Sequence, residues 1–271
     1  MPRLRHGAPI CLLASLLLAC QARPERWTEP SSGIVFLRVP AGTLTMGSPA
    51  SEPSREAQEV EHLVHLSRAF FLSATEVTQG QWQRVMGENP AFFAGCGGDC
   101  PVENVTFRDV SAFLARLGAR VPDERFRLPT EAEWEYACRA GSRTPFSTGD
   151  RLSTDQANYD GRYPMPGSPA GVFRGRPIPV AELGANPWGF SDLHGNVWEW
   201  TADDHCPYPS GPVLDPLARC ASGKKVIRGG SWAFGADSAR CALRYTHAPE
   251  DRGYSLGFRL VREVPGTARR P

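Results

Sequence analysis

The chain reads as a single α+β domain, mixed and loop-rich, and three observations predict this. Glycine (27) and proline (25) are plentiful and interrupt long regular elements, while seven Trp and thirteen Phe supply the apolar area of a core and argue against disorder. Helical periodicity is confined to a few short stretches separated by strand-like apolar runs. No internal repeat and no second domain boundary is visible, and 271 residues suffice to bury a sizeable core. The resulting organisation is a signal segment (1–19), a polar tether (20–32), the domain (33–263) and a short tail (264–271). Lys and Arg (30) nearly balance Asp and Glu (29), so no broad electrostatic case exists for nucleic acid.

The first residues carry Arg3, Arg5 and His6, followed by an apolar run over 8–19 that is too short to span a bilayer as a mature helix. The run ends Leu17-Leu18-Ala19-Cys20, which resembles the bacterial lipobox, where the cysteine is acylated and becomes the first mature residue. A secretory signal cleaved near Ala19 is the alternative. Gln21 after the cysteine points, by resemblance to lipoprotein sorting rules, to the outer membrane facing the periplasm. Cysteine usage agrees with export. Beyond Cys11 and Cys20, six remain (Cys96, Cys100, Cys138, Cys206, Cys220 and Cys241), an even set that reads as disulfides, with fifteen connectivities open.

Ile34–Val39 predicts a strand ended by Pro40, and 48–61 an exposed loop rich in Glu, Ser and Pro. A second strand is expected from His62 through Leu72. His62 and His65 stand three apart, and in a strand they face opposite sides, which argues against a shared metal. Thr78 is placed to cap a helix over 79–86. Cys96-Gly-Gly-Asp-Cys100 lacks a second cysteine pair at zinc-ligand spacing and reads as a local disulfide. Thr106 and Asp109 start the next helix, which should run to about Leu117, with Val110, Phe113, Leu114 and Leu117 as its apolar stripe. Thr130 and Glu133 form a full capping box for a helix over 131–140, stopped by Gly141. The crowding of Glu131, Glu133 and Glu135 there is accounted for by the helix dipole, without catalysis. From Gly149 to Gly189 little regular structure is expected, as in a binding loop or an ion-pinned segment. Cys206 and Cys220 are placed to staple the base of a loop over 204–222.

Three motifs in this order, Leu128-Pro-Thr-Glu-Ala-Glu-Trp134, Gly195-Asn-Val-Trp-Glu-Trp200 and Arg228-Gly-Gly-Ser-Trp232 followed by Cys241-Ala-Leu-Arg244 and Gly257-Phe-Arg259, resemble the formylglycine-generating enzymes, or sulfatase-modifying factors. The resemblance covers roughly 33–262 and implies a C-type-lectin-like fold. It also implies a disulfide between Cys138 and Cys241, and apolar packing of Leu114 and Leu260 where the family carries another bridge. A calcium site would use Asp192, the carbonyls of Gly195 and Val197, and Glu199, as a hard cation requires oxygens; an ordinary turn is the alternative. A second calcium site would use Asn158 and the carbonyl of Tyr159.

Catalytic members of the family bind copper(I) through two cysteines between the Gly-Gly-Ser and Arg-Cys motifs and oxidise a sulfatase cysteine to formylglycine. Here that segment, Trp232-Ala-Phe-Gly-Ala-Asp-Ser-Ala-Arg240, contains no cysteine, and soft copper(I) prefers thiolates. The resemblance therefore implies no catalytic residue and no copper. It implies a pocket of Trp198, Ser231, Trp232, Phe234 and Arg240 for a protein, peptide or glycan ligand on a membrane-anchored binding module. A divergent oxidoreductase that still activates sulfatases is the second reading, and a structural envelope lipoprotein the third. Family branches that bind iron do so through an additional helical domain that is not expected here.

Overall fold

A computed structural model describes residues 24–264; the signal segment, Cys20 and the tail from 265 lie outside them. Fifteen strands and α-helices are arranged as β1 (Arg26–Thr28), β2 (Val35–Val39), β3 (Gly42–Met46), β4 (His62–Leu66), β5 (Phe70–Ser73), α1 (Gln79–Met86), α2 (Phe107–Arg120), β6 (Phe126–Arg127), α3 (Glu131–Arg139), β7 (Trp198–Asp204), β8 (Val213–Leu214), β9 (Lys225–Arg228), β10 (Tyr245–His247), β11 (Leu256–Gly257) and β12 (Val261–Glu263). They form a five-stranded sheet (β1-β2-β5-β12-β6), a four-stranded sheet (β10-β9-β7-β11) and a three-stranded sheet (β3-β4-β8).

The α+β expectation holds. All three helices begin with a reciprocal capping box, from Thr78 with Gln81, Thr106 with Asp109 and Thr130 with Glu133. The second helix runs on past the expected Leu117 to Arg120. The single strand expected over 62–72 is two. The chain turns at Ser67, whose backbone N–H donates to Asp215 at 2.8 Å, so β4 and β5 enter different sheets. In β4 His62 is buried and His65 exposed, on opposite faces. Within the stretch read as a tether, Arg26–Thr28 pairs with β2 as an edge strand, and the buried Glu29 accepts from the backbone of Ser31 and Ser32.

One core lies between α1, α2 and the sheets, where Trp82 stacks on Phe113 at 5.1 Å and Trp200 donates to the Val105 carbonyl. Leu260 and the half-buried Leu114 both belong to it. A second core packs α3 against β3, β4 and the Phe190–Leu193 turn. The Cys138–Cys241 disulfide joins α3 to the segment before β10, and Cys96–Cys100 and Cys206–Cys220 close local loops. From 140 to 197 the chain is held mainly by isolated hydrogen bonds and a small cluster around Phe146, Leu152 and Tyr159.

The loop over 48–61 is tied down by ion pairs. Arg240, fully buried, donates to Glu52 at 2.7 Å and to both oxygens of Glu59 at 2.7 and 2.8 Å. Removing one partner of such a buried cluster leaves the others charged and unpaired. Arg240→Ala is therefore expected to cost about 3–5 kcal/mol, measured by urea unfolding, and to expose the 48–61 loop to protease before global unfolding. Replacing both Cys138 and Cys241 by Ala should cost about 2–5 kcal/mol in the same assay.

Candidate functional site

Three turns meet where the site residues gather. Gly195 N–H donates to the Gly229 carbonyl at 2.7 Å, Asn196 N–H to the Asn158 carbonyl at 2.7 Å, and Trp232 N–H to the Asn196 carbonyl at 2.9 Å. Asp160 N–H closes the set on the Phe234 carbonyl at 2.8 Å. This weave requires glycine at two points. Gly195 has φ +90° and a Cβ there would sit 2.3 Å from the Asn158 carbonyl oxygen; Gly230 has φ +72° and a Cβ would sit 2.8 Å from the Ser238 carbonyl oxygen.

Two aromatic clusters flank the 231–234 backbone. On one side Trp198 meets Phe234 edge-on at 5.5 Å and stacks on Tyr245 at 5.6 Å. On the other, Trp232 is edge-on to Phe93 at 5.5 Å, with Tyr254 at 5.9 Å and Phe173 at 6.3 Å, and Phe92 completes the ring contacts through Phe93 and Tyr254. Trp198 and Trp232 are buried, yet Phe92, Tyr254 and Phe234 remain 68%, 53% and 40% exposed. Large rings fixed by packing but facing solvent are unusual outside binding surfaces. The Trp232 indole N–H is buried and has no hydrogen-bond partner among the described residues, a donor that an incoming acceptor would satisfy.

Of the five residues expected to line a pocket, Trp198, Trp232 and Phe234 belong to this face. Ser231 lies beneath it, almost fully buried, its hydroxyl accepting from Ala233 N–H at 3.3 Å. Arg240 is elsewhere, turned into the Glu52–Glu59 ion pairs. Phe92, Phe93, Phe173, Tyr245 and Tyr254 were not among the residues singled out from sequence. They sit in separate loops and strand ends with no shared period, so only tertiary structure assembles them.

The proposed calcium ligands sit in an acidic cluster. Glu199 is fully buried and forks onto Arg259 at 2.6 and 2.7 Å, while the Trp134 indole N–H donates to it at 2.6 Å. Glu76, unremarked in the sequence, is buried beside it and accepts from Asn196 Nδ2 at 2.9 Å and Val197 N–H at 3.1 Å. Burial and the charges of Asp192 and Glu199 push the Glu76 carboxyl well above its ordinary range; burial chiefly raises that of Asp192 to about 6. Arg259 is the cation facing all three carboxylates. The charge of this donor set fits a hard cation, and Asn158 Oδ1, buried without a hydrogen-bond partner among the described residues, fits as a further oxygen donor. Among the described residues, Cys138, His194 and Cys241 place three His or Cys ligand atoms within 4.8 Å of one another. Those two sulfurs are bonded to each other, and the His194 ring is engaged by the Ala239 carbonyl at Nδ1 and by Ser147 at Nε2, with burial lowering its pKa to about 4.

Among curated proteins, the chain is 32% identical over 172 residues to a formylglycine-generating enzyme of Bos taurus, with 60% of this chain and 44% of that protein covered. It is 32% identical over 170 residues to an inactive C-alpha-formylglycine-generating enzyme 2 of Mus musculus (60% and 49% covered) and 34% identical over 186 residues to a hercynine oxygenase of Mycolicibacterium thermoresistibile (64% and 38% covered). The chain thus spans less than half the length of each of these relatives. Among solved structures, Treponema denticola variable protein 1 superposes with a TM-score of 0.76 at 27% identity, covering 89% of this chain and 99% of that one. PvdO from Pseudomonas aeruginosa gives 0.75 at 28% identity, covering 90% and 100%. The model of the sulfatase-modifying factor enzyme 1-like domain matches residues 24–264, essentially the whole described fold, and the chain belongs to that family.

Proposed function

We propose that the chain is a ligand-binding member of this family, holding a peptide or glycan on the aromatic face and not generating formylglycine. The observation that carries the reading is the conjunction at 231–240. The segment that would supply copper thiolates has none, and all six cysteines of the described residues are joined in disulfides, while exposed rings surround the same segment. Rigid aromatic anchors around a buried tryptophan are the composition of binding hot spots. One of the curated relatives is itself named as inactive. The lipobox at Cys20 supports export and anchoring to the outer membrane facing the periplasm. The alternative is a divergent sulfatase activator.

Co-expression of the mature protein with a peptide carrying Cys-x-Pro-x-Arg, with copper supplied, separates the two. Intact mass should show the cysteine unchanged, whereas conversion to formylglycine would sink the binding-module reading. On peptide and glycan arrays, Phe92→Ala and Tyr254→Ala should weaken the retained ligand by about tenfold or more each without lowering the unfolding midpoint, since both rings are exposed.

Calcium belongs to the same reading, held by Asp192, the carbonyls of Gly195 and Val197, and Glu199, with Asn158 and the Tyr159 carbonyl at a second position. The unbalanced buried carboxylates support it. Saturating calcium, a hundredfold above Kd, is expected to add about 2.7 kcal/mol, read as a rise in unfolding midpoint that EDTA reverses and Asp192→Asn removes. A midpoint unmoved by either reagent argues against the ion.

A further inference from the structure

A sizeable cavity in the described fold lies away from the aromatic face. It has a volume of about 650 Å³ and lies between β1, β2, the N-terminal turn of α1 and the 179–191 loop. That volume is within the range of small-molecule sites, roughly 300–1,000 Å³. It shares no residue with the aromatic clusters, and neither the family resemblance nor the curated relatives assign it.

Its walls divide by chemistry. Val35, Leu37, Ala74 and Val180 make one apolar side. The other is dominated by donors: Arg26, Arg84, Gln81, Thr78 and Ser191, against a single acidic side chain, Asp99. Several of these donors are uncommitted. Arg26 has no side-chain partner among the described residues. Arg84 uses Nη1 on the Ser32 carbonyl at 2.7 Å and keeps its other guanidinium nitrogens free of described partners. Thr78 accepts the Gln81 N–H as the cap of α1, which leaves its own proton to donate outward. The Ser191 hydroxyl makes no hydrogen bond among the described residues, although the residue is 5% exposed. Two guanidinium groups and two hydroxyls facing one space match an oxyanion with three or four acceptor oxygens better than a carboxylate with two.

We propose that this cavity binds a phosphate ester with a small apolar body, the phosphate against Arg26 and Arg84 and the body against Val35, Leu37 and Val180. Two sources share that chemistry, a phospholipid headgroup and a soluble phosphate ester. The chain's own layout favours the lipid. A Cβ added at Gly189 on the cavity wall would lie 3.7 Å from Pro24, and Arg26 is six positions after Cys20. Six residues reach at most about 20 Å, so a chain anchored at Cys20, the reading on which only this choice of source rests, keeps the cavity mouth close to a membrane surface.

The test uses the mature chain and phosphorus NMR line broadening, confirmed by titration calorimetry. The probes are short-chain dihexanoyl phosphatidylglycerol, glycerol phosphate, inorganic phosphate and dihexanoyl glycerol without phosphate. Phosphatidylglycerol should bind, and Arg26→Gln with Arg84→Gln should weaken it at least tenfold. Arg26→Gln alone, at an exposed side chain without a packing role, should weaken it several-fold with an unchanged unfolding midpoint, so a folding defect in the double variant does not blur the result. Phe92→Ala should leave it unaltered, which separates this site from the aromatic face. Glycerol phosphate binding as tightly as phosphatidylglycerol keeps the site and assigns it to a soluble ester. Equal binding of the phosphate-free probe, binding of inorganic phosphate alone, or affinity indifferent to both arginines overturns the proposal. Repeating the titration with unacylated chain leaves the cavity's affinity unchanged if only the anchoring reading fails.

Discussion

The buried ion pairs between α3 and the C-terminal third of the chain are the constraint on which the site depends. Glu131 takes a fork from Arg244 at 2.8 and 2.9 Å, and Glu135 takes Arg228 and Arg139. Arg228 also donates through Nη1 and Nη2 to the carbonyls of Cys241, Ala242 and Leu243 and lies 5.3 Å over the Trp134 ring. Burial alone would raise the Glu131 carboxyl, but Arg244 and Arg228 hold it below its ordinary range. Each guanidinium is almost fully buried, where the loss of hydration makes an unpaired charge costly and a misplaced backbone correspondingly so. The gain is in geometry more than in net stability. Arg228 immediately precedes Gly229-Gly230-Ser231-Trp232, so fixing its head group on α3 fixes where Trp232 emerges. The Cys138–Cys241 bridge, three residues after Glu135 on α3, pins the other end of the same segment.

This explains which features were legible in the sequence. Capping boxes are local, and Thr78, Thr106 and Thr130 announce their helices without any tertiary information. The close cysteine pairs 96–100 and 206–220 are local too. The Cys138–Cys241 pairing, 103 residues apart, came only through the family resemblance. The helix-dipole account of Glu131, Glu133 and Glu135 was incomplete. All three are buried and each meets arginine, Glu133 through Arg127 at 2.6 Å. Three acids at the start of a short helix carry the same local pattern whether they face water or a guanidinium far along the chain. Arg240 shows the converse. Its position beside the site in sequence suggested a ligand contact, but its side chain leaves in the other direction to bind Glu52 and Glu59.

The aromatic face was half legible for the same reason. Trp198, Trp232 and Phe234 lie in motif segments and could be named. Phe92, Phe93, Phe173, Tyr245 and Tyr254 come from four other segments, and each looks like an ordinary loop or edge aromatic. What brings them together is the weave of Gly195, Asn158 and Asn196 with the double-glycine turn. Glu76 was missed by a similar route. It precedes a helix cap, where an acidic residue needs no further explanation, and only the fold sets it beside Asp192 and Glu199.

The polar contacts that build this site are therefore separable from the side chain at 234. The polar contacts named above that position the 229–234 turn come from outside the 232–240 segment or from its backbone: Arg228 on Glu135, Gly195 on Gly229, Asn196 on Trp232. None depends on the side chain at 234, where Phe now packs on Trp198. The ion pairs, the disulfide and the glycine turns that build the place make no use of that side chain. A surface held in place by such contacts loses little ordering entropy on binding. The same scaffold leaves the donor-lined cavity beside β1 on separate elements, so ligand binding at the two places is expected to be energetically independent, as distant sites without shared partners usually are.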